Sequence, residues 1–448
     1  MIVSKFGGTS VGDAAAIRRL AGIVAARQPE RPVVVVSALS KVTDALLDLE
    51  RAPDHAAVAA RLAALRDRHR TVATDLGLDG AATEHLERDL VALDAWVTPR
   101  IGHAWSAADR DFLVSHGELW SSRLVTAALA AQGLPAVWFD ARRVIATDSQ
   151  FGQAVPNPAE IRRRAARLIA PILDGNEIPV TQGFIGSDEE GWTTTLGRGG
   201  SDYTASLLGA ALDAARVEIW TDVDGILTAD PRLVPDARRL PEASYHEAAE
   251  LAAFGAKVLH PATQLPLVEA GIPCWVLNSF APDREGTRIV AGARPAPITA
   301  TSPVRSIAWK KGITVINVRA PRSFEAVGFL QQFFTIFARH GISVDVLASS
   351  EVNVSVTIDD AARLPALIAD LESLGAVTVF DRRAIVAVVG VDLRGARGLS
   401  ARLFNAVKDV NIEVISQGAS EINITFVVKE EDAPTAVRAL HREFFTAA

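Results

Sequence analysis

Two short segments carry residue types that can manage a charged phosphate. The first is Lys5-Phe6-Gly7-Gly8-Thr9-Ser10. Adjacent glycines allow close backbone approach to an anion, and N–H groups at a following helix start favour negative charge. Lys5, closing an apolar strand, can reach a phosphate as a point charge. An ordinary turn would use the same residues. The second segment is Thr195-Leu196-Gly197-Arg198-Gly199-Gly200-Ser201-Asp202-Tyr203-Thr204. Three glycines beside an arginine make a nest of N–H donors with a bidentate carboxylate clamp. This loop opens onto the helical run 205–212, with Ser201 or Asp202 as natural N-cap; a flexible hairpin is the plain alternative. Two such loops facing one another suit phosphoryl transfer, which needs positioning and charge neutralisation more than covalent help.

Other familiar chemistries find no support. No GxxxxGK[ST] occurs, and no GxGxxG follows a strand; the run from Gly197 to Asp202 lacks the third glycine. Trp220–Arg232 is a strand followed by an acidic turn. Its carboxylates read either as metal ligands or as turn formers, since Asp224-Gly225 and Asp230-Pro231 are good turn dipeptides. Phe254–Pro261 sets Lys257 beside a glycine, and His260 before Pro261 reads as a structural histidine. The nine histidines show no metal-ligand spacing, so no protein metal site is expected. The one cysteine, Cys274, excludes a disulfide within the chain; its apolar run, Ile272 to Leu277, makes it a buried thiol.

The elements that must position these segments alternate. Strand-like runs at 2–6, 33–37, 136–140, 179–184, 218–222 and 273–278 are Val-rich and non-alternating, as in a parallel sheet covered on both faces. Amphipathic helical patterns lie between them. That rhythm predicts a three-layer αβα sandwich with a mostly parallel sheet. The stretch 54–110 is rich in Ala, Leu and Arg, and reads as a helical excursion, either a lid or a structural hairpin. The Pro-rich segment 294–297 reads as a linker.

Beyond it lies an internal repeat. Ile342-Ser343-Val344 matches Ile412-Glu413-Val414, and Ser350 to Ser355 matches Ser420 to Thr425, at one constant offset (412 − 342 = 70). A fixed offset with matching apolar positions means two copies of one supersecondary unit, of βαββαβ type.

At 448 residues, two or three domains are expected. A charged fraction of 22% and a net charge of -7, without massed Lys or Arg, argue against nucleic acid or an anionic membrane as partner. The N-terminus reads as a strand, and no stretch reaches the ~18 apolar residues of a span. A cytoplasmic protein is expected.

Taken together the segments resemble the aspartate kinases of the amino acid kinase family, near the monofunctional, lysine-sensitive type. The resemblance is carried by Lys5-Phe-Gly-Gly-Thr-Ser, Val36-Ser-Ala-Leu-Ser-Lys-Val-Thr43-Asp, Ser115-His-Gly-Glu118, the Thr195–Thr204 loop, Trp220–Arg232 and Phe254–Pro261, in that order. The repeat resembles paired ACT modules. The implied division is a catalytic domain at 1–293, a first ACT module at 312–383, and a second built from 298–311 with 384–448. No homoserine dehydrogenase region is expected to follow.

The resemblance implies transfer of the ATP γ-phosphate to the aspartate β-carboxylate, with Mg²⁺ accompanying ATP. Lys5 and Asp202 would be catalytic, with Gly7 and Gly8 bringing N–H groups to the phosphate. Thr43, Glu118, Arg198 and Ser201 would hold aspartate, Glu118 at its α-ammonium and Arg198 at its α-carboxylate. Thr221, Asp222, Leu227, Arg232, Lys257 and Val258 would surround ATP. Many relatives carry Tyr where this chain has Leu227. Ser343, Val344, Asp345, Ser350 and Glu351, with Phe329 and Leu330 nearby, would form an effector site, for lysine first and threonine second. Asp345 and Glu351 also suit plain capping of strands and turns. The second copy has Ile415 in place of Asp345, so only the first is expected to bind. Association through ACT modules, as a homodimer or larger, is expected. Another carboxylate kinase of the same fold, or an amino-acid sensor without catalysis, are the competing readings.

Overall fold

The computed structural model describes residues 1–255, 261–291, 302–319, 328–361 and 363–446. It divides into two compact units. One comprises Met1–Ile226, Pro241–Tyr245 and Val258–Ala293; the other comprises Leu227–Leu240, His246–Lys257 and Arg294–Ala448.

The first unit begins with β1 (Ile2–Phe6), α1 (Ala14–Arg27), β2 (Pro32–Val36) and α2 (Val42–Leu47). A helical excursion follows, α3 (His55–Leu76) and α4 (Glu84–Val97), then the long α5 (Ala107–Ala131) and β3 (Ala136–Phe139). Next come α6 (Pro158–Leu168), α7 (Ala170–Asp174), β4 (Ile178–Gln182), the hairpin β5 (Ile185–Ser187) and β6 (Thr193–Thr195), α8 (Gly200–Ala211), β7 (Val217–Thr221) and β8 (Glu242–Ser244). All of α9 (Tyr245–Ala253) but its first residue belongs to the second unit. The first unit closes with α10 (Leu265–Ala270), β9 (Cys274–Asn278) and β10 (Thr287–Val290).

Eight strands form one sheet in the order β3-β4-β2-β1-β7-β9-β10-β8. From β3 through β9 every pairing is parallel; β10 runs antiparallel to β9. The mostly parallel sheet expected from the Val-rich runs is therefore present. All five residues of β2 are buried, as are all five of β1, because helices cover both faces. Phe6, Val34, Val36 and Val180 join α1 to α5 in one apolar cluster. Cys274 is buried in β9, and burial pushes its thiol well above the usual range.

Local sequence explains the helix starts. Asp13 caps α1 by accepting from the Ala16 N–H at 2.7 Å, and Ser106 with Asp109 forms a capping box on α5. Two expectations are corrected. The glycine pair leads first into a single tight turn over Gly8–Val11, and α1 starts only at Ala14. The helix after the second loop starts at Gly200, with left-handed Gly199 (φ 73°) as its cap, so neither Ser201 nor Asp202 caps it.

The middle of α5 is buried nearly all round, and it carries buried polar groups that reach the sheet. Ser121 Oγ donates to the Ser37 carbonyl at 2.7 Å. Asp111 accepts from the Gly152 N–H at 2.9 Å, the Thr195 N–H at 2.7 Å and the Thr195 hydroxyl at 2.7 Å. One carboxylate thus ties α5 to the start of the second glycine loop. Burial holds it above the ordinary carboxylate range, and these hydrogen bonds oppose the shift.

In the second unit β11 (Val304–Arg319), α11 (Phe329–His340), β12 (Leu347–Ser349), β13 (Asn353–Ile358), α12 (Leu364–Leu371), β14 (Ala376–Gly390), α13 (Leu399–Ala406), β15 (Val414–Gln417), β16 (Asn423–Lys429) and α14 (Ala433–Phe445) follow in order. Six strands make an antiparallel sheet, β12-β13-β11-β14-β16-β15. The two long strands are each shared. The first part of β11 pairs with the end of β14, its last part pairs with the start of β14, and the register shifts between them near Lys311 and Ile313. Separate apolar clusters lie under the halves, one around Phe333 and Phe337, the other around Phe426 and Leu440.

Asp111→Ala should lower unfolding stability by about 2–4 kcal/mol, because two buried N–H groups lose their acceptor. Asp111→Asn should cost much less, since its carbonyl oxygen can accept both N–H groups and its amide can face the threonine hydroxyl. Urea unfolding of the three proteins checks this order.

Candidate active site

The backbone ladder continues past the strand ends into the loops. Gly7 N–H donates to the Trp220 carbonyl at 3.2 Å, Ser37 N–H to Phe6 at 3.1 Å, and Gly183 N–H to Val36 at 2.8 Å. Ser40 N–H then bonds the Gly8 carbonyl at 3.2 Å. The carboxyl ends of β1, β2, β4 and β7 are thereby laced together. Ligands of open parallel sheets bind at such an edge.

A cavity of about 520 Å³ opens there. From the first loop come Lys5, Gly7, Gly8 and Thr9; from the loop after β2 come Ser37, Ala38, Leu39, Ser40, Lys41 and Thr43. Glu118 enters from α5, Phe184 from the end of β4, Gly197 and Gly199–Asp202 from the second loop, and Thr221 and Asp222 from the end of β7. The two glycine loops do share one wall-to-wall cavity.

Across it, Lys5 Nζ lies 2.6 Å from Asp202 Oδ1, with side chains only 10% and 15% exposed. Asp202 sits in the first turn of α8 because Gly183 lets that turn approach: a Cβ on Gly183 would lie 2.6 Å from the Ser201 Cβ. Gly117 does the same for the opposite wall, where an added Cβ would lie 2.8 Å from the Ala38 Cβ. That close approach sets the next residue, Glu118, against the loop after β2.

Glu118 is 4% exposed. One oxygen accepts from the Ala38 N–H at 3.1 Å, and the other has no hydrogen-bond partner among the described residues. Burial pushes its carboxyl up to about 8. A carboxyl with an orphaned oxygen in a cavity can accept from a cation or donor that enters it.

Of the remaining expected residues, Arg198 is exposed, lies outside the cavity lining, and has no ion-pair partner among the described residues. Leu227 and Arg232 belong to the second unit, where Arg232 grips Asp230 with both ends of its guanidinium (2.7 Å at the shortest). Lys257, Val258 and His260 lie outside the described residues, as does the expected linker at 294–297. Asp224 accepts from Asn278 at 2.7 Å and pairs with Arg284, while Asp230 also accepts from the Trp309 indole at 3.1 Å. These carboxylates are engaged in the turn. No group of three metal-ligating side chains occurs among the described residues.

Sequence reasoning missed Lys41, Phe184, Ser37 and Ser40. Lys41 and Phe184 both hold left-handed backbone, φ 66° and φ 70°. Non-glycine residues in that region are costly and cluster at functional sites. Ser37, Ser40 and Lys41 lie within the segment 36–44 already singled out, but no local pattern announces the left-handed conformation, which is imposed by neighbours distant in sequence.

In the second unit, Phe329 is buried in the core of α11, while Leu330 is exposed. Ser343, Ser350 and Glu351 are exposed, and Val344 packs partly against the core. Asp345 is already engaged: Lys310 Nζ lies 3.1 Å from it and 2.8 Å from Asp359. Burial still lifts the Asp345 carboxyl above its usual range.

The fold and the cavity suit a phosphotransferase of the open α/β class. Family models agree: the amino acid kinase family matches residues 1–278, and an ACT domain matches residues 386–444. The lysine-sensitive aspartokinase 3 of Escherichia coli is 40% identical over 99% of both chains. The chloroplastic aspartokinase 2 of Arabidopsis thaliana is 35% identical over 99% of this chain and 84% of its own length. The crystal structure of E. coli aspartokinase III in complex with aspartate and ADP, an R-state, matches with a TM-score of 0.88 over 99% of this chain and 100% of that one. Its complex with lysine and aspartate, a T-state, gives 0.85 over 99% of each. The chain belongs to the amino acid kinase family and, within it, to the aspartokinases.

Glu118 also makes stability depend on pH. Its carboxyl titrates near 8 in the folded chain and near 4.5 unfolded. The folded state therefore holds the proton more tightly, and its contribution to stability is lost as pH rises from about 4.5 through 8. Glu118→Gln should flatten that part of the decline, read from urea midpoints across the range without ligand.

Proposed function

We propose that the chain transfers the γ-phosphate of ATP to the β-carboxylate of L-aspartate, giving 4-phospho-L-aspartate and ADP. The observation that carries this reading is Glu118: a buried carboxyl with an unpartnered oxygen, in the same cavity as the Lys5–Asp202 pair. An α-ammonium placed against that oxygen supplies the missing partner and favours the ionised carboxylate. Thr43 and Ser201 line the same space and hold the polar ends of the amino acid. Arg198, exposed and without an ion-pair partner among the described residues, is available for the α-carboxylate.

Phosphoryl transfer then needs charge stabilisation and alignment. Lys5 neutralises charge that grows on the transferring group, and Gly7 and Gly8 admit the phosphate close to the backbone. Asp202 holds the Lys5 ammonium in the cavity wall. Thr221 and Asp222 border the cavity on the nucleotide side. The assignment of Leu227, Arg232, Lys257 and Val258 to the nucleotide rests on family resemblance alone. Mg²⁺ accompanying ATP would supply further charge neutralisation.

The proposed division is a catalytic domain at 1–293, a first ACT module at 312–383, and a second of 298–311 with 384–448. The sharing of β11 and β14 between two halves of one sheet supports the interleaved boundary. Lysine is the proposed inhibitor, with threonine second, acting at Ser343, Val344, Asp345, Ser350 and Glu351 and beside Leu330. Phe329 supports that site from the core rather than touching the effector. Glu351 has no ion-pair partner among the described residues, whereas its counterpart Glu421 is already paired with Arg394. That asymmetry favours the first module. Leu330, Phe334 and Leu347 leave apolar surface on the first module, which suits self-association through it. Among the described residues no helix is long and apolar enough to cross a membrane, and cytoplasmic residence is proposed.

Incubation with ATP, Mg²⁺ and aspartate, followed by hydroxylamine trapping, should yield aspartyl hydroxamate. Signal with another acid but not aspartate would sink the substrate assignment, and nucleotide binding without turnover would favour a sensor. Lys5→Ala should reduce kcat by about 10²–10³ while leaving KM for aspartate nearly unchanged. Lysine should inhibit and should raise the thermal midpoint. Glu351→Ala should weaken both effects, whereas Glu421→Ala should leave them intact.

A further inference from the structure

The loop between β2 and α2 carries a cation whose backbone is hard to explain without its side chain. Lys41 holds φ 66°, a conformation glycine adopts freely and lysine adopts at a cost. Its flanks are pinned. Ser40 N–H bonds the Gly8 carbonyl at 3.2 Å, Val42 N–H bonds Leu39 at 2.9 Å, and Ala38 N–H bonds Glu118 at 3.1 Å. The turn is therefore imposed by the two walls of the cavity, and backbone requirements alone would select glycine.

What lysine adds is charge in the cavity. Lys41 lines it, is exposed, and has no hydrogen bond or ion pair from its side chain among the described residues. The other lysine of the described lining, Lys5, already shares its charge with Asp202, 2.6 Å away. An ATP phosphate chain and an acceptor carboxylate bring strong negative charge into the same space. The loop touches both ends of the cavity, through Ala38 to Glu118 and through Ser40 to Gly8, and it is Ser40, the immediate neighbour of Lys41, that bonds Gly8, so the cation is placed on the phosphate side.

We infer that Lys41 is a further catalytic cation, carrying its ammonium to the oxygens of the transferring phosphoryl group while Lys5 stays paired with Asp202. This rests on the aspartate kinase reading above and extends it. As the phosphoryl group moves from the ADP oxygen to the aspartate carboxylate oxygen, Lys41 donates hydrogen bonds to its non-bridging oxygens and exchanges no proton. The interaction strengthens as charge develops, so it acts on turnover rather than on aspartate binding.

The test is steady-state kinetics of the full chain with ATP, Mg²⁺ and aspartate for wild type, Lys41→Gly and Lys41→Arg. Glycine accepts φ 66°, so the thermal midpoint of Lys41→Gly should be unchanged or raised, which separates lost chemistry from lost folding. Its kcat should fall at least about tenfold, with KM for aspartate within about twofold of wild type. Lys41→Arg should recover part of the loss. An unchanged kcat in Lys41→Gly overturns the assignment and leaves Lys41 a solvated surface charge. A change confined to KM for aspartate also overturns it, placing Lys41 at the amino acid. If wild type phosphorylates a different acid, the substrate reading fails by itself; the same comparison made on that acid then decides for or against Lys41.

Discussion

The parallel pairing of β1 on both sides is the constraint on which the active site depends. With β2 on one flank and β7 on the other, the strand delivers Lys5, Gly7 and Gly8 at one edge of the sheet. The ladder does not stop where the strands end. Its last bonds reach Ser37, Gly7 and Gly183, so three loops leave the sheet in fixed register. A slip of one residue would turn Lys5 to the other face and bury Phe6 where the cavity now lies.

On that frame, α5 supplies what strands cannot. Its buried polar stripe bonds two separate loops, through Asp111 to the second glycine loop and through Glu118 and Ser121 to the loop after β2. Burying two carboxyls in one helix is costly unless each is satisfied. Asp111 is, by three hydrogen bonds. Glu118 is only half satisfied among the described residues, and the proposed function gives its second oxygen to a ligand. The contrast separates a carboxyl tied into the scaffold from one left open to the cavity. Apolar packing then makes the arrangement rigid, and Gly117 and Gly183 allow the close approaches that put Glu118 and Asp202 into the same cavity.

The C-terminal unit follows a different economy. Two long strands serve two repeat halves, each half with its own apolar cluster and helices. The halves are alike in sequence pattern but not in electrostatics. Asp345 is gripped by Lys310, whereas Ile415 stands exposed at the equivalent place. Glu351 is free of ion pairs among the described residues, whereas Glu421 is held by Arg394. Duplication kept the scaffold, and the charges diverged.

The sequence by itself determined a great deal. Period and composition placed the six expected strands within a residue or two, because Val-rich runs buried on both faces have few other stable arrangements. The two glycine-rich segments were legible as anion loops, and the constant offset exposed the repeat. Helix starts were less legible: α8 begins at Gly200 because Gly199 turns left-handed, which overrides the capping preference of Ser201 and Asp202. Tertiary structure alone decided that Asp202 meets Lys5, that Arg198 stays outside the cavity lining, and that Lys41 and Phe184 line it on left-handed backbone. The physical reason is common to all of them. A side chain's charge partner and its φ at such positions are set by groups brought close only when the sheet closes, and no local pattern records that meeting.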